Sequence, residues 1–285
     1  MASPLIIAAS EFAGAPVDVY IRPTPANLQC KGLFRHKKYV KNIRQYPEKY
    51  FEPIYDRYLI TSNYHPLNQY GNSGEVVRPR EWKKGEREID YNMELIQRIG
   101  FQGRTPAPFV CKSPRKFMFP KNTVGFHIGC KPAWAHLKAW PYYKELSDLL
   151  LKEGITVVVV GSDADLPLFK SKTWSSYVKR YFSLSLTDTA ALISQVALFI
   201  TNDSGLMHLA AALNVPTIAI FGATNPAKYK PRNVSLIQRE PILSCQPCID
   251  IMPVGYKCPR KTQCLKDISH ERVFDVAMKY LKIHS

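Results

Sequence analysis

The sequence has no hydrophobic run long enough to cross a membrane. A spanning helix needs about 20 consecutive apolar residues, and polar or charged residues interrupt each apolar stretch of the 285 residues sooner. The apolar opening MASPLIIAASEFAGAPV contains Glu11 and no basic residue, which is not typical of a secretory signal peptide. We interpret this opening as a buried helix.

Two glycine motifs that bind phosphate are also absent. None of the 14 glycines falls into the pattern G-x-G-x-x-G or G-x-x-x-x-G-K-[ST], which argues against a nicotinamide or flavin enzyme and a P-loop NTPase. Acidic residues are few as well, with 23 Asp and Glu against 39 Lys and Arg, a net charge of +16. Such a chain suits phosphate-bearing substrates, anionic membrane surfaces or nucleic acid, and charge alone does not choose among them.

Cysteines are sparse and odd in number, and four of the seven lie in one run, CQPCIDIMPVGYKCPRKTQC. An odd count without a signal peptide favours a reducing compartment. The four in the run, Cys245, Cys248, Cys258 and Cys264, have the ligand count of an all-thiolate zinc or iron site, which would be structural because no position is left open. Four reduced thiols in a loop are an equal alternative.

The chain divides at a proline-rich stretch, 104–122, which contains four prolines. We predict an N-terminal domain at 1–115 and a C-terminal domain at 116–285, the latter with a cysteine-rich loop at 245–264. The first has predicted strands at 17–21 and 55–62 and a helix at 87–101. In the second, apolar strands at 123–129, 155–162, 197–203 and 216–222 alternate with helices at 140–154, 186–196, 204–214 and 269–283. This alternation predicts a parallel sheet covered on both faces, a Rossmann-like α/β domain.

Polar residues gather where the strand at 197–203 turns into a helix. Ligands of parallel sheets bind at the carboxyl ends of strands, and a helix start favours anions through its unpaired N–H groups and partial positive charge. Asp203 and Ser204 stand at this turn, Gly205 lets a ligand approach the backbone, and His208 lies one turn further on the same face. A capping pair and a core histidine are the simpler alternative, but the four residues together favour a phosphate site.

A second strand end carries cations. Gly129 and Cys130 follow the strand at 123–129, and Lys131, His136 and Lys138 come before the next helix. A loop with glycine and lysine can hold a diphosphate, although taken alone Lys138 could equally be a surface residue.

The run NDSGLMHLAAALNVPTIAIFGATNP resembles the signature of the heptosyltransferase family of glycosyltransferases, known as family 9. That signature joins Asp–Ser/Thr–Gly, His–Leu–Ala, a helix, a Pro-led strand and Phe–Gly–x–Thr–x–Pro. The loop from Gly129 to Lys138 is similar to the family's sugar-nucleotide loop. The resemblance covers most of residues 87–283 and is weak over 17–86.

The resemblance implies a GT-B fold, in which two Rossmann-like domains face each other across a cleft. It implies inverting, metal-independent transfer of a sugar from a nucleotide donor, typically ADP-heptose, to the lipopolysaccharide core, another glycan or a protein. Gly129, Cys130, Asp203, Ser204, Gly205 and His208 would bind the donor, and Lys138 would bind it and stabilise the departing diphosphate. No cofactor is implied for catalysis.

The beginning of the sequence departs from the family. Family members open with a strand and a Gly–Asp loop whose Asp is the expected general base. This chain resembles only the part of the family sequence that follows that loop. We therefore expect the N-terminal domain to be incomplete at its start and the base to be missing or supplied by Glu11, Asp18 or Asp56.

Three functions stay open at this stage. The first is a glycosyltransferase, and the second is a catalytically impaired relative that binds nucleotide sugars. The third, a nucleic-acid-binding protein with a four-cysteine zinc site, leaves the run at 201–226 unexplained, so we expect no nucleic acid. We expect a cytoplasmic protein, with peripheral contact to the anionic inner face of the cytoplasmic membrane as a further option.

Overall fold

A computed structural model describes residues 3–21, 30–45, 57–59, 75–77, 86–249, 251–253 and 255–283. The chain divides into two compact units, Met1–Cys111 and Lys112–Ser285. Of the three candidate bases, Asp56 lies outside the described residues. None of the described helices is long and apolar enough to span a bilayer.

The first unit combines short parallel strand pairs with two packed helices. Its described helices and strands are α1 (Ser3–Ala13), β1 (Val17–Ile21), β2 (Val40–Gln45), β3 (Arg57–Leu59), β4 (Glu75–Val77) and α2 (Glu88–Gln97). Strand β1 pairs in parallel with β2, and β3 pairs in parallel with β4. Leu5 and Ala8 of α1 pack against Met93 and Ile96 of α2. The buried helix predicted from the apolar opening is thus confirmed.

The second unit contains one six-stranded parallel sheet in the order β10-β9-β8-β5-β6-β7. Its strands are β5 (Val124–His127), β6 (Val157–Gly161), β7 (Lys179–Phe182), β8 (Leu198–Asn202), β9 (Thr217–Phe221) and β10 (Ser235–Gln238). Its helices are α3 (Ala135–Lys138), α4 (Tyr143–Lys152), α5 (Leu166–Lys170), α6 (Leu186–Ile193), α7 (Gly205–Ala212), α8 (Pro226–Tyr229), α9 (Gln263–Lys266) and α10 (His270–Ile283). The parallel sheet predicted from the alternating pattern is confirmed.

The sequence of the central strands explains their position in the sheet. Strands β8 and β9 are buried along their whole length, as expected for parallel strands covered on both faces. Helix α4 buries Tyr143, Leu146 and Leu150, which share one face through their spacing of three and four residues. The core therefore lies on both faces of the sheet and leaves the strand ends for polar residues.

Two local predictions differ from the structure. The sequence LTDTAALISQV at 186–196 predicts Thr187 or Asp188 as the cap of helix α6. The cap is instead Ser185, whose Oγ accepts the Asp188 N–H at 3.0 Å and whose backbone is non-helical, as this position requires. Strand β7 has the sequence KRYF and was not predicted, because its exposed Lys179 and Arg180 resemble a loop. It lies at the edge of the sheet, where charged residues are favoured.

Candidate functional site

The carboxyl ends of β8 and β9 and the loop after β5 surround a pocket of about 380 Å³. Five of the predicted site residues line it: Lys138, Asp203, Ser204, Gly205 and His208. The structure thus brings together residues that are up to 70 positions apart in the sequence, counting from 138 to 208.

Gly129 and Cys130 do not line this pocket. An added Cβ at Gly129 would lie 1.8 Å from Asp165 Oδ1, so this glycine makes room for a neighbouring carboxylate. Cys130 is buried, and burial raises the pKa of its thiol to about 11. The thiol is therefore protonated at neutral pH.

Two charged side chains of the pocket, Lys138 and Asp203, form an ion pair with each other. Lys138 Nζ lies 2.7 Å from Asp203 Oδ2, and the two side chains are only 13% and 9% exposed. A cation and an anion thus lie close to the N-terminus of helix α7. His136, which the sequence placed beside Lys138, instead contacts the Tyr256 carbonyl through Nε2 at 2.9 Å.

Asn202 holds the lysine-bearing loop against β8. Its Nδ2 donates to the carbonyls of Ile128 and Gly129 at 2.9 and 3.1 Å. Its Oδ1 accepts the Trp140 N–H and the Tyr143 hydroxyl, each at 3.1 Å. Because Asn202 is fully buried and its amide satisfies groups on both sides of the loop, it fixes the position of Lys138.

Ser204 precedes helix α7 but does not cap it with its side chain. Its Oγ lies instead 2.9 Å from His127 Nδ1 and 3.1 Å from Thr201 Oγ1. The capping alternative for Ser204 is therefore wrong, because two neighbouring strands offer its hydroxyl better partners than the helix start.

Two buried polar atoms of the pocket have no partner within the described residues. They are His208 Nδ1 and Thr224 Oγ1. A buried polar atom left unpaired costs about 1–3 kcal/mol. Burial lowers the pKa of His208 to about 4, a shift that the neighbouring Asp203 opposes, so the ring is neutral at neutral pH. Both atoms are available to a ligand.

Sequence reasoning missed several residues at this edge of the sheet. Thr224, Trp134, Tyr229 and Ile249 also line the pocket, and His127 and Asp165 lie behind it. Thr224 follows β9, so it could have been predicted from the tendency of ligands to bind at the carboxyl ends of parallel strands. Tyr229 and Ile249 reach the pocket only through the tertiary fold.

The four cysteines of the run come together around one small cavity. Burial raises the thiol pKa of Cys248 and of Cys264, the latter to about 11, and the neighbouring cysteines raise both further. Within the described ranges, however, no group of three or more His, Cys, Asp or Glu side chains has an arrangement that could hold a metal ion. The zinc or iron site considered from the sequence thus receives no support from the geometry.

Two of the candidate bases lie in the first unit. Glu11 is exposed on α1. Asp18 is held by hydrogen bonds from Asn42 Nδ2 at 2.9 Å and Arg44 Nε at 3.2 Å, and its side chain is 4% exposed. Both oxygens of this carboxylate thus have a partner on β2.

The pocket lies at the carboxyl end of a parallel sheet, which is where α/β domains bind their ligands. The model of glycosyltransferase family 9 (heptosyltransferase) matches residues 89–254, more than half of the chain. The chain therefore belongs to glycosyltransferase family 9.

Curated relatives align with a limited part of the chain. Lipooligosaccharide heptosyltransferase 2 of Haemophilus influenzae is 33% identical over 117 residues, which are 38% of this chain and 33% of that protein. Lipopolysaccharide heptosyltransferase 2 of Escherichia coli is 34% identical over 128 residues, 40% of this chain and 36% of that protein. The matched part of the chain thus spans about a third of the length of these relatives.

Solved structures resemble the whole chain at lower identity. The E. coli ADP-heptose lipopolysaccharide heptosyltransferase II superposes with a TM-score of 0.70 at 19% identity, over 100% of this chain and 96% of that one. A family 9 glycosyltransferase from Veillonella parvula gives 0.72 at 17% identity, over 99% and 93%. The likeness shows the fold, which is α/β of the GT-B class.

Proposed function

We propose that this protein is a glycosyltransferase that takes a heptose or a related sugar from a nucleotide-activated donor, with ADP-heptose as the first candidate. The observation that carries the proposal is the pocket at α7, where buried His208 Nδ1 and Thr224 Oγ1 have no partner within the described residues and a lysine stands at the helix start. A diphosphate offers oxygen atoms to each of these groups.

Different pocket residues bind the donor and stabilise the leaving group. The N-terminus of α7 and Lys138 supply positive charge for the diphosphate, and Asp203 accepts hydrogen bonds from hydroxyl groups of the sugar. As the bond to the sugar breaks, negative charge grows on the nucleoside diphosphate, and Lys138 stabilises it. The transfer inverts the sugar carbon and needs no metal.

The donor assignment is tested by titrating ADP-heptose into the wild-type chain and Asp203→Ala. We expect the variant to bind about tenfold to a hundredfold more weakly, because a charge-assisted hydrogen bond contributes about 1.5–3 kcal/mol. Equal affinity in the two proteins would remove Asp203 from the site. A wild-type chain that binds the donor and transfers nothing to lipopolysaccharide core, glycan or protein acceptors would be a nucleotide-sugar-binding relative.

Gly205→Ala is expected to weaken ADP binding without harming the fold. An added Cβ there has no heavy atom within 4 Å, so the methyl group enters the pocket beside the first N–H groups of α7. Calorimetric titration with ADP and the melting temperature measure the two effects. Gly154→Ala is the matched control: with φ of +70° it should lower the melting temperature and leave ADP binding unchanged. A Gly205→Ala variant with normal affinity would contradict this placement.

We propose in addition that the second unit contacts an anionic membrane through one basic and aromatic surface. Arg115 lies over the Phe117 ring at 4.8 Å, and the rings of Phe117 and Phe119 lie 5.5 and 5.8 Å from that of Tyr181. Met118, between Phe117 and Phe119, is 90% exposed. Within the second unit, residues 112–144 include seven Lys and Arg and no acidic residue. An exposed methionine among cations suits an anionic lipid surface.

Sedimentation with vesicles of anionic phospholipid tests this surface. Met118→Glu should reduce vesicle binding about tenfold, since it removes apolar burial and adds repulsion. Binding of the wild-type chain should also fall as salt rises. Ile251→Glu is the control, because Ile251 is 74% exposed elsewhere on the same unit. Equal losses in both variants would argue against the surface.

A further inference from the structure

Behind the pocket, three polar side chains from three different strand ends form a chain of contacts. His127 ends β5, Ser204 follows β8, and Asp165 lies in the short turn after β6. His127 Nδ1 is 2.9 Å from Ser204 Oγ, and His127 Nε2 is 3.5 Å from Asp165 Oδ2. All three residues are less than 9% exposed. Of the three, only Ser204 reaches the pocket.

Asp165 is held as an anion. Burial opposes its ionisation, but the contact with His127 and the hydrogen bonds from Ser162 outweigh burial and lower the pKa of the carboxyl below its usual value. Asp165 Oδ2 accepts both the Ser162 N–H and the Ser162 hydroxyl at 2.8 Å. Gly129 leaves the space that Asp165 Oδ1 occupies. The carboxylate is therefore fixed in place facing His127.

The fixed carboxylate sets the direction of the Ser204 hydroxyl. Because Nε2 of His127 faces an anion, it is the nitrogen that holds the proton when the ring carries only one, and Nδ1 is then an acceptor. Ser204 then donates its hydroxyl proton to Nδ1. Thr201 Oγ1 lies 3.1 Å from the Ser204 oxygen and can donate its proton either to it or to the Asn202 carbonyl, so it does not require the Ser204 proton. In this state the Ser204 oxygen turns lone pairs toward the pocket.

Lone pairs are unsuited to a phosphate oxygen, which needs a donor. We propose that Asp165 and His127 are positioning residues for Ser204, and that a bound nucleoside diphosphate draws one proton onto His127 and thereby turns the Ser204 hydroxyl from acceptor to donor. The inference rests on the proposed function, since it takes the ligand to be a nucleoside diphosphate.

The proton balance is simple. One proton passes from solvent to His127 Nδ1, which then donates to Ser204 Oγ. The hydroxyl proton that Nδ1 formerly accepted is now donated to a phosphate oxygen, and no covalent bond other than N–H is formed. Asp165 compensates the charge of the imidazolium. Cys130, beside this group, is a neutral thiol, and the Lys138–Asp203 pair is internally compensated.

Nitrogen NMR of histidine-labelled protein tests the proposal directly. In the ligand-free chain His127 should be protonated at Nε2 alone, and with saturating ADP at the same pH it should be protonated at both nitrogens. His127→Asn assigns the signals, and His208→Gln separates them from those of the histidine that lines the pocket. A His127 ring that carries its proton on Nδ1 without ligand, or that ADP leaves unchanged, would overturn the proposal.

A double-mutant cycle on ADP affinity gives a second readout. His127→Leu and Ser204→Ala should each weaken binding about tenfold, and the double variant should bind no more weakly than Ser204→Ala, because His127 acts through that hydroxyl. Additive losses would mean a merely structural histidine. His136→Gln, outside the pocket, is the control for histidine loss. If the wild-type chain does not bind ADP, the proposed function fails. The tautomer of His127 in the ligand-free chain still tests whether Ser204 donates its hydroxyl proton to His127 Nδ1.

Discussion

Lys138→Met is expected to slow sugar transfer from ADP-heptose about 100- to 1,000-fold. Removing one preorganised group that stabilises developing negative charge has an effect of this size. The loss should fall mainly on kcat, because the charge on the leaving diphosphate grows as the bond breaks. Steady-state kinetics with a lipopolysaccharide-core acceptor measure both parameters.

Lys131→Met provides the matched comparison. Lys131 lines the same pocket, but it is exposed, and its charge is screened by water. We expect less than about a tenfold loss for this variant. Similar losses for the two lysines would mean that general positive charge, and not the placement of Lys138, matters for the rate.

Asn202→Ala is expected to lower the free energy of unfolding by about 3–5 kcal/mol. The substitution leaves four buried groups without their partner, namely two loop carbonyls, the Trp140 N–H and the Tyr143 hydroxyl. Each unpaired buried group costs about 1–3 kcal/mol, and such costs are only partly additive. Thermal unfolding should show a fall in melting temperature of about 10 °C.

Asn122→Ala separates this effect from the general loss of an asparagine. Asn122 makes one exposed hydrogen bond, to the Gly154 carbonyl at 3.0 Å. Its replacement should lower the melting temperature by no more than about 2–4 °C. If Asn202→Ala melted at the wild-type temperature, the amide would not be what holds the loop.

The C-terminal sheet was predictable because its strands and helices carry two clear sequence periods. Apolar runs such as VVVV in β6 are strands buried on both faces, and the glycine after α4 ends that helix. Neither edge strand of this sheet was predicted: the exposed residues of β7 are charged, and β10 has only four residues. In the first unit the predicted strand at 55–62 contains β3, whereas β4, with three residues, is too short for a periodic signal.

The pocket was predictable where its residues follow a strand. Asp203, Ser204 and His208 come from one strand end, so local sequence places them together. The partners of these residues depend on strand order, since β5 lies beside β8 in space but 71 positions earlier in the chain, counting from His127 to Leu198. No local pattern indicates that His127 forms a hydrogen bond with Ser204, or that Gly129 leaves the space that the Asp165 carboxylate occupies.

The ion pair between Lys138 and Asp203 has a consequence for selectivity among the anions of a cell. A small anion such as inorganic phosphate can attract Lys138 only by leaving Asp203 without a cation in a poorly solvated position. A ligand that joins a diphosphate to a hydroxyl-rich sugar can satisfy both side chains at once. We therefore expect free phosphate, although abundant, to compete weakly for this pocket, because it would pair with Lys138 and leave Asp203 without a partner.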